Sequence, residues 1–280
     1  MDTLLLRTFL EVTRTRHFGK AAKNLHVAAS TVSTRIKQLE QSVKHSLLER
    51  NHQKVNVTPA GERLVKHARL ILGAWERAHE DMALSDVYQK RLVIAGVSSL
   101  WDIFLQDWLN LVYRDNSNFS LRAEESTPLR VVEKLDRGLL DVGFLYEQPK
   151  LADMDVVEVQ DINLVLVSDK PDAQWSEALK QGYIQVEWGR TFTLLHEALL
   201  PEQPIAAVRV NSGKIALNLL LNVGGAAYLP KKMAAEALQQ KQLFRVEDAP
   251  VIPLKAFAVY SLYSENLNLI RQLLKVIPND

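Results

Sequence analysis

The sequence predicts an α+β multidomain protein, and three observations support that fold class. Short helical patterns fill most of the first 58 of the 280 residues, one uninterrupted helical pattern follows, and strands alternate with helices from about residue 91. Charge divides the chain in the same way: residues 1–67 contain 12 basic and 5 acidic side chains, a net of +7, whereas the rest carries −6. A basic head on an acidic body points to nucleic acid as the partner of the head.

The central helix of the head is predicted from its apolar stripe. Four apolar residues recur at the spacing of one helix face: Val32, Ile36, Leu39 and Val43. The face opposite this stripe, with its flanks, has hydroxyl, amide and basic side chains and no acid or large apolar residue: Ser30, Thr31, Ser33, Thr34, Arg35, Lys37, Gln38 and Gln41. Alone, this pattern is typical of any amphipathic surface helix, so the neighbouring segments decide its interpretation.

The segments on either side of this helix predict a winged helix-turn-helix. Before it, the small residues Ala21 and Ala22 allow two helices to cross closely. After it, residues 47–57 are predicted to form a hairpin, and Thr58 followed by Pro59 predicts an N-cap and first turn of a new helix. A hairpin between a recognition helix and a long helix is a wing, which makes DNA the first partner to consider.

Residues 1 to about 66 resemble the DNA-binding domain of the LysR-type transcriptional regulators. The matches, in order and spacing, are Leu5, Phe9, Val12, Phe18, Gly19, Ala21, Ala22, Leu25, Val27, Ser30, Val32, Ser33, Ile36, Leu39, Glu40, Leu47, Arg50, Val57, Thr58 and Gly61. The run from Arg14 to Gly19 is most similar to the HdfR-like branch of that family. The resemblance implies double-stranded promoter DNA as a partner and RNA polymerase as a further one.

The DNA-binding prediction assigns different roles to the helix and to the wing. We expect Ser33, Thr34 and Arg35 to approach base edges, and Arg50 and Lys54 on the wing to contact phosphates. The same prediction includes the neighbouring helix residues Ser30, Thr31 and Lys37.

Four positions depart from the family pattern in the part that reads DNA. Ala28 cannot cap the recognition helix through a side-chain oxygen, which costs about 1 kcal/mol, and Ala29 lacks the amide with which Gln contacts adenine. Lys44 replaces a Gly that would relieve a left-handed conformation at the helix end, and Leu48 replaces a common Phe. The operator sequence therefore cannot be carried over from the family.

From Pro59 to about Leu84 a helical pattern runs with an apolar side that includes Leu64, Ile71, Trp75 and Met82. A long helix with such a stripe needs a partner, although packing on its own domain competes for Trp75. In the family that the chain resembles, this helix pairs with a second chain, which implies a dimer and a tetramer built from two dimers. A hinge is predicted at residues 85–90. The DNA-binding domain is therefore expected to span residues 1–58, and the linker, with helix and hinge, residues 59–90.

Residues 91–280 are predicted to form a two-lobed α/β domain. The order βαβαβ over residues 92–146 predicts a parallel sheet, and a second run of strands and helices starts at Asn163. The last helix, residues 265–276, is expected to pack back on the first lobe. The arrangement resembles type 2 periplasmic binding proteins, the effector domain of the family, with lobe I at about 91–161 and 265–280 and lobe II at about 162–264.

A small effector is expected between the lobes, where strands end and helices begin. The candidate residues are Ser98, Ser99 and Thr127 in lobe I, and Trp188, Asn211 and Gly224 in lobe II. Free N–H groups at helix N-termini favour a small anion there. Each hydroxyl taken singly is more typical of a plain helix cap, and the bulky Trp101, Tyr146 and Trp188 are large enough to fill the cleft instead.

The sequence gives little support to catalysis, metal binding or membrane insertion. It contains no cysteine, which excludes disulfides, thiol catalysis and cysteine–metal sites. Five of the seven histidines lie in the head without ligand spacing, and no GxGxxG, GxSxG or HExxH motif is present. Glu124 and Glu125 are neighbours on a predicted strand and point to opposite faces. With no signal peptide and no membrane-spanning apolar run, we expect a cytoplasmic regulator that is not an enzyme and has no cofactor.

Three classes of function remain open. The first is a ligand-responsive transcription regulator that acts as an oligomer. The second is a solute-binding protein with an appended helical domain, which the basic winged head disfavours. The third is a ligand-independent, nucleoid-type DNA binder with a vestigial effector domain, which the unusual Ala28 and Ala29 keep open.

Overall fold

The computed structural model describes residues 2–51, 54–82, 90–115, 119–180, 182–199 and 204–278. The chain divides into two compact units, Met1–Val87 with Asp136–Leu139, and Tyr88–Leu135 with Leu140–Asp280. The predicted hinge at residues 85–90 lies outside the described residues except for Lys90.

The first unit contains four helices and a two-stranded hairpin within the described residues. These are α1 (Thr3–Thr15), α2 (Phe18–Asn24), α3 (Ala29–Val43), β1 (Leu48–Asn51), β2 (Lys54–Val57) and α4 (Pro59–Asp81). The predicted stripe of α3 faces the core: Val32, Ile36 and Leu39 are buried against Phe9 and Val12 of α1. Burying such side chains stabilises the head by about 1.5–3 kcal/mol each.

Local signals fix the ends of these helices as the sequence predicts. The Thr58 hydroxyl accepts a hydrogen bond from the Gly61 N–H at 3.0 Å, with Pro59 in the first turn of α4. Ala28 precedes α3 without a side-chain cap, and Lys44 ends it in the left-handed conformation at φ 56°. At Gly61 a Cβ atom would lie 2.3 Å from the Leu47 carbonyl oxygen, so glycine lets α4 approach the hairpin.

The second unit is a mixed α/β domain whose strands and helices alternate along most of its length. It comprises β3 (Lys90–Gly96), α5 (Ser98–Leu100), a π-helical turn (Trp101–Leu105), α6 (Gln106–Asp115), β4 (Phe119–Glu125), α7 (Pro128–Asp136), β5 (Val142–Leu145), β6 (Met154–Ser168), α8 (Trp175–Ala178), β7 (Ile184–Val186), α9 (Arg190–Leu199), β8 (Val208–Val210), α10 (Gly213–Val223), β9 (Ala226–Pro230), α11 (Lys231–Gln239), β10 (Phe244–Arg245), β11 (Ile252–Ser261) and α12 (Leu267–Leu274).

The main sheet of this unit is parallel only in part. Strand β3 pairs in parallel with β4 and β5, as predicted for lobe I. The two long strands β6 and β11 run antiparallel to each other, and β11 is also antiparallel to β5. The parallel sheet predicted over residues 92–146 is thus confirmed for β3, β4 and β5. Strand β11 pairs antiparallel beside β5, because it returns from lobe II and enters the lobe I sheet in the opposite direction. A register shift between Ala256 and Phe257 marks the passage between lobes.

The last helix packs on lobe I, as expected. The Trp108 indole N–H of α6 donates to the Leu273 carbonyl of α12 at 2.8 Å, and both residues are buried. Just before α12, the Asn266 amide donates to the Arg91 carbonyl at 2.8 Å. The C-terminal segment thus closes the lobe in which the unit begins.

Lobe II is centred on an aromatic cluster around a buried histidine. The Tyr183 hydroxyl lies 2.9 Å from Nε2 of His196, and the two rings stack 5.7 Å apart. Phe192 and Tyr228 pack around the same imidazole. Burial lowers the pKa of His196 and raises that of Tyr183, so both side chains are held in their neutral forms.

Candidate DNA-reading helix and effector cleft

The solvent side of α3 carries most of the predicted DNA-reading residues. Ser30, Thr34 and Lys37 are exposed, and Thr31 and Ser33 are partly buried at the edges of this face. The opposite side of the helix is fixed in the core of the head. A rigid helix with exposed hydroxyl and ammonium groups can enter a major groove and reach base edges and phosphates.

Arg35 is directed toward α1. It is partly buried, and its guanidinium donates a 3.4 Å hydrogen bond to the hydroxyl of Thr8, which is itself buried. Thr8 in turn donates to the Leu4 carbonyl at 2.7 Å. Arg35 thus lies between α3 and α1, whereas Thr34 and Lys37 face solvent.

Glu40 holds the wing against the recognition helix, a role that the sequence analysis did not identify. One of its carboxylate oxygens accepts hydrogen bonds from the Leu47 and Leu48 N–H groups at 2.8 and 3.2 Å. The hairpin itself pairs Leu48 with Val57 and Arg50 with Val55. The backbone positions of Arg50 and Lys54, the predicted phosphate contacts, therefore have a fixed relation to α3.

The predicted dimerisation residues of α4 divide into two groups. Leu64 and Ile71 are partly buried against the core of their own head. Trp75 and Met82 are 49% and 74% exposed. Trp75 and Ile71 border a groove of about 510 Å³ along α4 that also includes Asp2, Thr3, Ala74 and Ala78.

The candidate effector residues of lobe I lie at one edge of its parallel strands. Ser98 and Ser99 follow β3, Thr127 follows β4, and Tyr146 follows β5. The Thr127 hydroxyl accepts a 3.4 Å hydrogen bond from the Arg130 N–H, the geometry of a helix cap. Ser99 is buried, and its hydroxyl is 2.8 Å from that of Tyr146.

Trp188 brings lobe II against this group. Its ring packs edge-on to Tyr146 at 6.4 Å, and its indole N–H donates to the Tyr228 carbonyl at 3.0 Å. Gly213 makes room for it, because a Cβ there would lie 2.7 Å from the Trp188 ring. The contact of Ser99, Tyr146 and Trp188 shows that side chains of the protein occupy part of the cleft.

The other two candidates of lobe II lie in different places. Asn211 is exposed and directly follows β8, next to the start of α10. Gly224 precedes β9. At this end of β9, Ala226 forms a bridge with Tyr183, the residue just before β7. Its neighbour Gly225 donates to the Asp169 carboxylate at 2.8 Å. Gly224 thus lies at the start of β9, at the edge opposite to the one where β7 ends and Trp188 follows.

Two acidic residues of the cleft region were missed by the sequence analysis. The Asp102 carboxylate is 2.5 Å from the Lys214 ammonium at the start of α10. The Glu147 carboxylate accepts hydrogen bonds from the Arg190 and Thr191 N–H groups of α9 at 2.7 and 3.2 Å. Each links lobe I to lobe II, and no local sequence signal connects partners so far apart.

Family comparisons agree with this architecture. The family described as "Bacterial regulatory helix-turn-helix protein, lysR family" matches residues 4–62, and the "LysR substrate binding domain" matches residues 85–278. The second match alone covers more than half of the chain, so the chain belongs to the LysR family. It is a LysR-type DNA-binding transcriptional regulator with an effector-binding domain, which confirms the predicted class and fold.

Individual relatives cover the chain from end to end. The HTH-type transcriptional regulator HdfR of Yersinia enterocolitica is 33% identical over an alignment of 289 positions, which covers 100% of this chain and 97% of that protein. HdfR of Yersinia pestis is 34% identical over the same length. These relatives agree with the predicted HdfR-like branch.

Solved structures share the fold at lower identity. LysG of Corynebacterium glutamicum with bound effector Arg has a TM-score of 0.59 and 21% identity, over 98% of this chain and 96% of that one. DarR of Vibrio fischeri in complex with DNA has a TM-score of 0.57 and 18% identity, over 99% of each chain. Within the described residues, no helix is both long and apolar enough to span a membrane.

Proposed function

We propose that this regulator binds double-stranded promoter DNA sequence-specifically through the solvent face of α3. The exposed, acid-free surface formed by Ser30, Thr34 and Lys37 on a helix packed into the head carries the proposal. Thr34 faces base edges, whereas Lys37 adds charge toward phosphates. Arg35 reaches DNA only if its guanidinium leaves Thr8, so its contribution is expected to be smaller than that of Thr34.

The wing supplies sequence-independent affinity in this proposal. Arg50 and Lys54 lie on the two strands of the hairpin that Glu40 ties to α3. Cations at phosphates release counterions, so binding weakens as salt rises. The helix would select the sequence, and the wing would fix the register of the head on the duplex.

We infer that the active species is an oligomer formed through α4. The exposed Trp75 and Met82, with the groove beside Trp75, offer an apolar surface that a second α4 could cover. A dimer presents two heads and therefore reads two half-sites. A tetramer as a dimer of dimers, contact with RNA polymerase and a cytoplasmic location complete the proposal for this non-enzymatic regulator.

A small effector in the cleft of the second unit would regulate DNA binding. An effector acts only if it binds one arrangement of the lobes more tightly than another. The alternative is a ligand-independent DNA binder. The observation behind this alternative is the packing of Ser99, Tyr146 and Trp188, which already contact each other where the effector was expected.

Binding at several salt concentrations tests the DNA proposal. Fluorescence anisotropy would compare DNA from the chain's own upstream region with random DNA for the wild type, Lys37→Ala and Lys275→Ala. We expect the upstream DNA to bind more tightly, and Lys37→Ala to weaken binding to both by roughly 3- to 10-fold with a shallower salt slope. Lys275→Ala, an exposed lysine of the second unit, is the charge-matched control. Equal affinity for the two DNAs would favour the nucleoid-type alternative.

A further inference from the structure

Asp102 and Lys214 form an ion pair between the lobes whose two ends differ in burial. The Asp102 side chain is 11% exposed, whereas the Lys214 side chain is 68% exposed. A carboxylate that is largely removed from water needs a cation, because leaving it unpaired costs far more than leaving an exposed lysine unpaired. Moving the lysine into solvent therefore costs the chain stability, and another cation at Asp102 would offset that cost.

The groups around Asp102 also suit a cation. The Ser99 and Tyr146 hydroxyls lie next to each other on the same side of lobe I, and their oxygens can accept hydrogen bonds. Burial raises the pKa of Tyr146, and the negative charge of Asp102 raises it further, so these two side chains are close enough to interact. Ser99, Asp102 and Tyr146 thus combine one negative charge with neutral oxygen acceptors.

Two groups of donors near the cleft that could hold an anion are already in use. The first N–H groups of α9, where a partial positive charge favours anions, donate to the Glu147 carboxylate. The Lys214 ammonium is paired with Asp102. An anion at either of these places would have to compete with a carboxylate of the chain, whereas a cation at Asp102 needs only to replace an exposed lysine.

We propose that Asp102 is the recognition point for a small cationic effector, an ammonium or guanidinium compound, and that Lys214 occupies this point in the effector-free chain. The proposal rests on the effector-binding function proposed above and replaces the small anion expected from the sequence. Effector binding would release Lys214 from Asp102 and remove a link between α10 and lobe I. The lobes would then be joined through the effector instead.

Rescue by an added amine tests the proposal in the full-length chain. Lys214→Ala leaves Asp102 without its cation, and we expect the unfolding midpoint to fall by about 3 °C. Propylammonium at tenfold its dissociation constant should restore roughly the same 3 °C. Sodium chloride at equal ionic strength should not. Sodium propionate, whose anion has nearly the same shape as propylammonium but carries a negative charge, tests whether the site prefers an anion.

Two variants make the rescue specific. Lys232→Ala breaks another pair between the lobes, with Asp107, in which both side chains are well exposed, and should show no amine-specific response. Asp102→Asn combined with Lys214→Ala should abolish the rescue, because the amide carries no charge. If the lysine variants fail to fold, the comparison of the wild type with Asp102→Asn gives the same readout: the wild type should be stabilised at higher amine concentration, and Asp102→Asn should not.

Three results would overturn the proposal. These are an equal response of Lys214→Ala to propylammonium and sodium chloride, a rescue that survives in the Asp102→Asn background, and a larger stabilisation of the wild type by propionate than by propylammonium. DNA affinity is measured separately on the first unit's α3 variants. A failed rescue with intact sequence-specific DNA binding rejects the cation site and leaves the regulator function standing.

Discussion

The DNA-reading helix and the effector cleft differ in whether their polar groups already contact other groups of the chain before DNA or an effector binds. On α3, Ser30, Thr34 and Lys37 face solvent from a helix fixed by its apolar side. In the cleft, Ser99 contacts Tyr146, and Asp102 contacts Lys214. A preformed exposed face suits a large rigid partner such as DNA. A cleft with internal pairs suits a switch, because a ligand must displace existing contacts.

The largest expected effect is on the cleft side of this comparison. Trp188 is buried and joins Tyr146 of lobe I to the carbonyl of Tyr228 in lobe II. Trp188→Ala should destabilise the second unit by about 3–5 kcal/mol through lost packing and a cavity. Hydrogen exchange in both units, recorded during a urea titration, would measure this destabilisation. An equal loss of protection in α3 would contradict the separation of the two regions.

The wing should respond without regard to sequence. Arg50→Ala should weaken binding to upstream and random DNA alike and reduce the salt slope by about 1. Titrations at several salt concentrations provide both values, with Lys275→Ala as the control. Unchanged affinity and slope would remove the wing from the DNA interface.

Charge in the α4 surface should change the oligomeric state. Trp75 is half exposed beside the groove along α4, so Trp75→Glu should place an unpaired charge in the proposed interface without disturbing a buried core. We expect monomers and weaker operator binding. Ile71→Glu should act in the same direction but also destabilise the head, since Ile71 is partly buried there. Light scattering that shows a monomeric wild type at micromolar concentration would reject this interface.

Acidification should destabilise lobe II because it protonates the buried His196. Burial lowers the pKa of His196 below the usual 6.5, so the folded state binds a proton less readily than the unfolded state. The neutral histidine's contribution is present above pH about 6.5 and is lost as the pH falls toward the lowered value. The urea midpoint of the second unit should therefore fall on acidification, and His196→Phe should flatten this dependence. His17→Asn, at the exposed N-cap of α2, should leave it unchanged.

The smallest effect is expected at the start of the recognition helix. Ala28 provides no side-chain cap, so Ala28→Ser should stabilise the head by about 0.5–1 kcal/mol. Thermal unfolding would detect a rise of a few degrees, and Ala28→Val is the uncapped control. An identical midpoint for the serine and valine variants would show that no cap forms.

Local patterns predicted most of the head. The stripe through Val32, Ile36 and Leu39, the Thr58 cap and the left-handed Lys44 each depend on residues within a turn or two along the chain. The direction of β11 and the position of Gly224 depend on strand pairing over long separations, which periodicity does not encode. The Asp102–Lys214 and Glu147–Arg190 contacts were unpredictable for the same reason. These two contacts are the reason why we propose a cationic effector in place of the anion expected from the sequence.

Selection from a random DNA pool tests the central claim, that α3 reads sequence, most directly. The wild type should enrich one motif containing two half-sites, because an oligomer presents two heads. Thr34→Ala, which removes an exposed hydroxyl without changing charge, should enrich a motif altered within each half-site, while Lys275→Ala should keep the wild-type motif. A wild type that enriches no motif, or a Thr34→Ala variant that enriches the same one, would contradict the account.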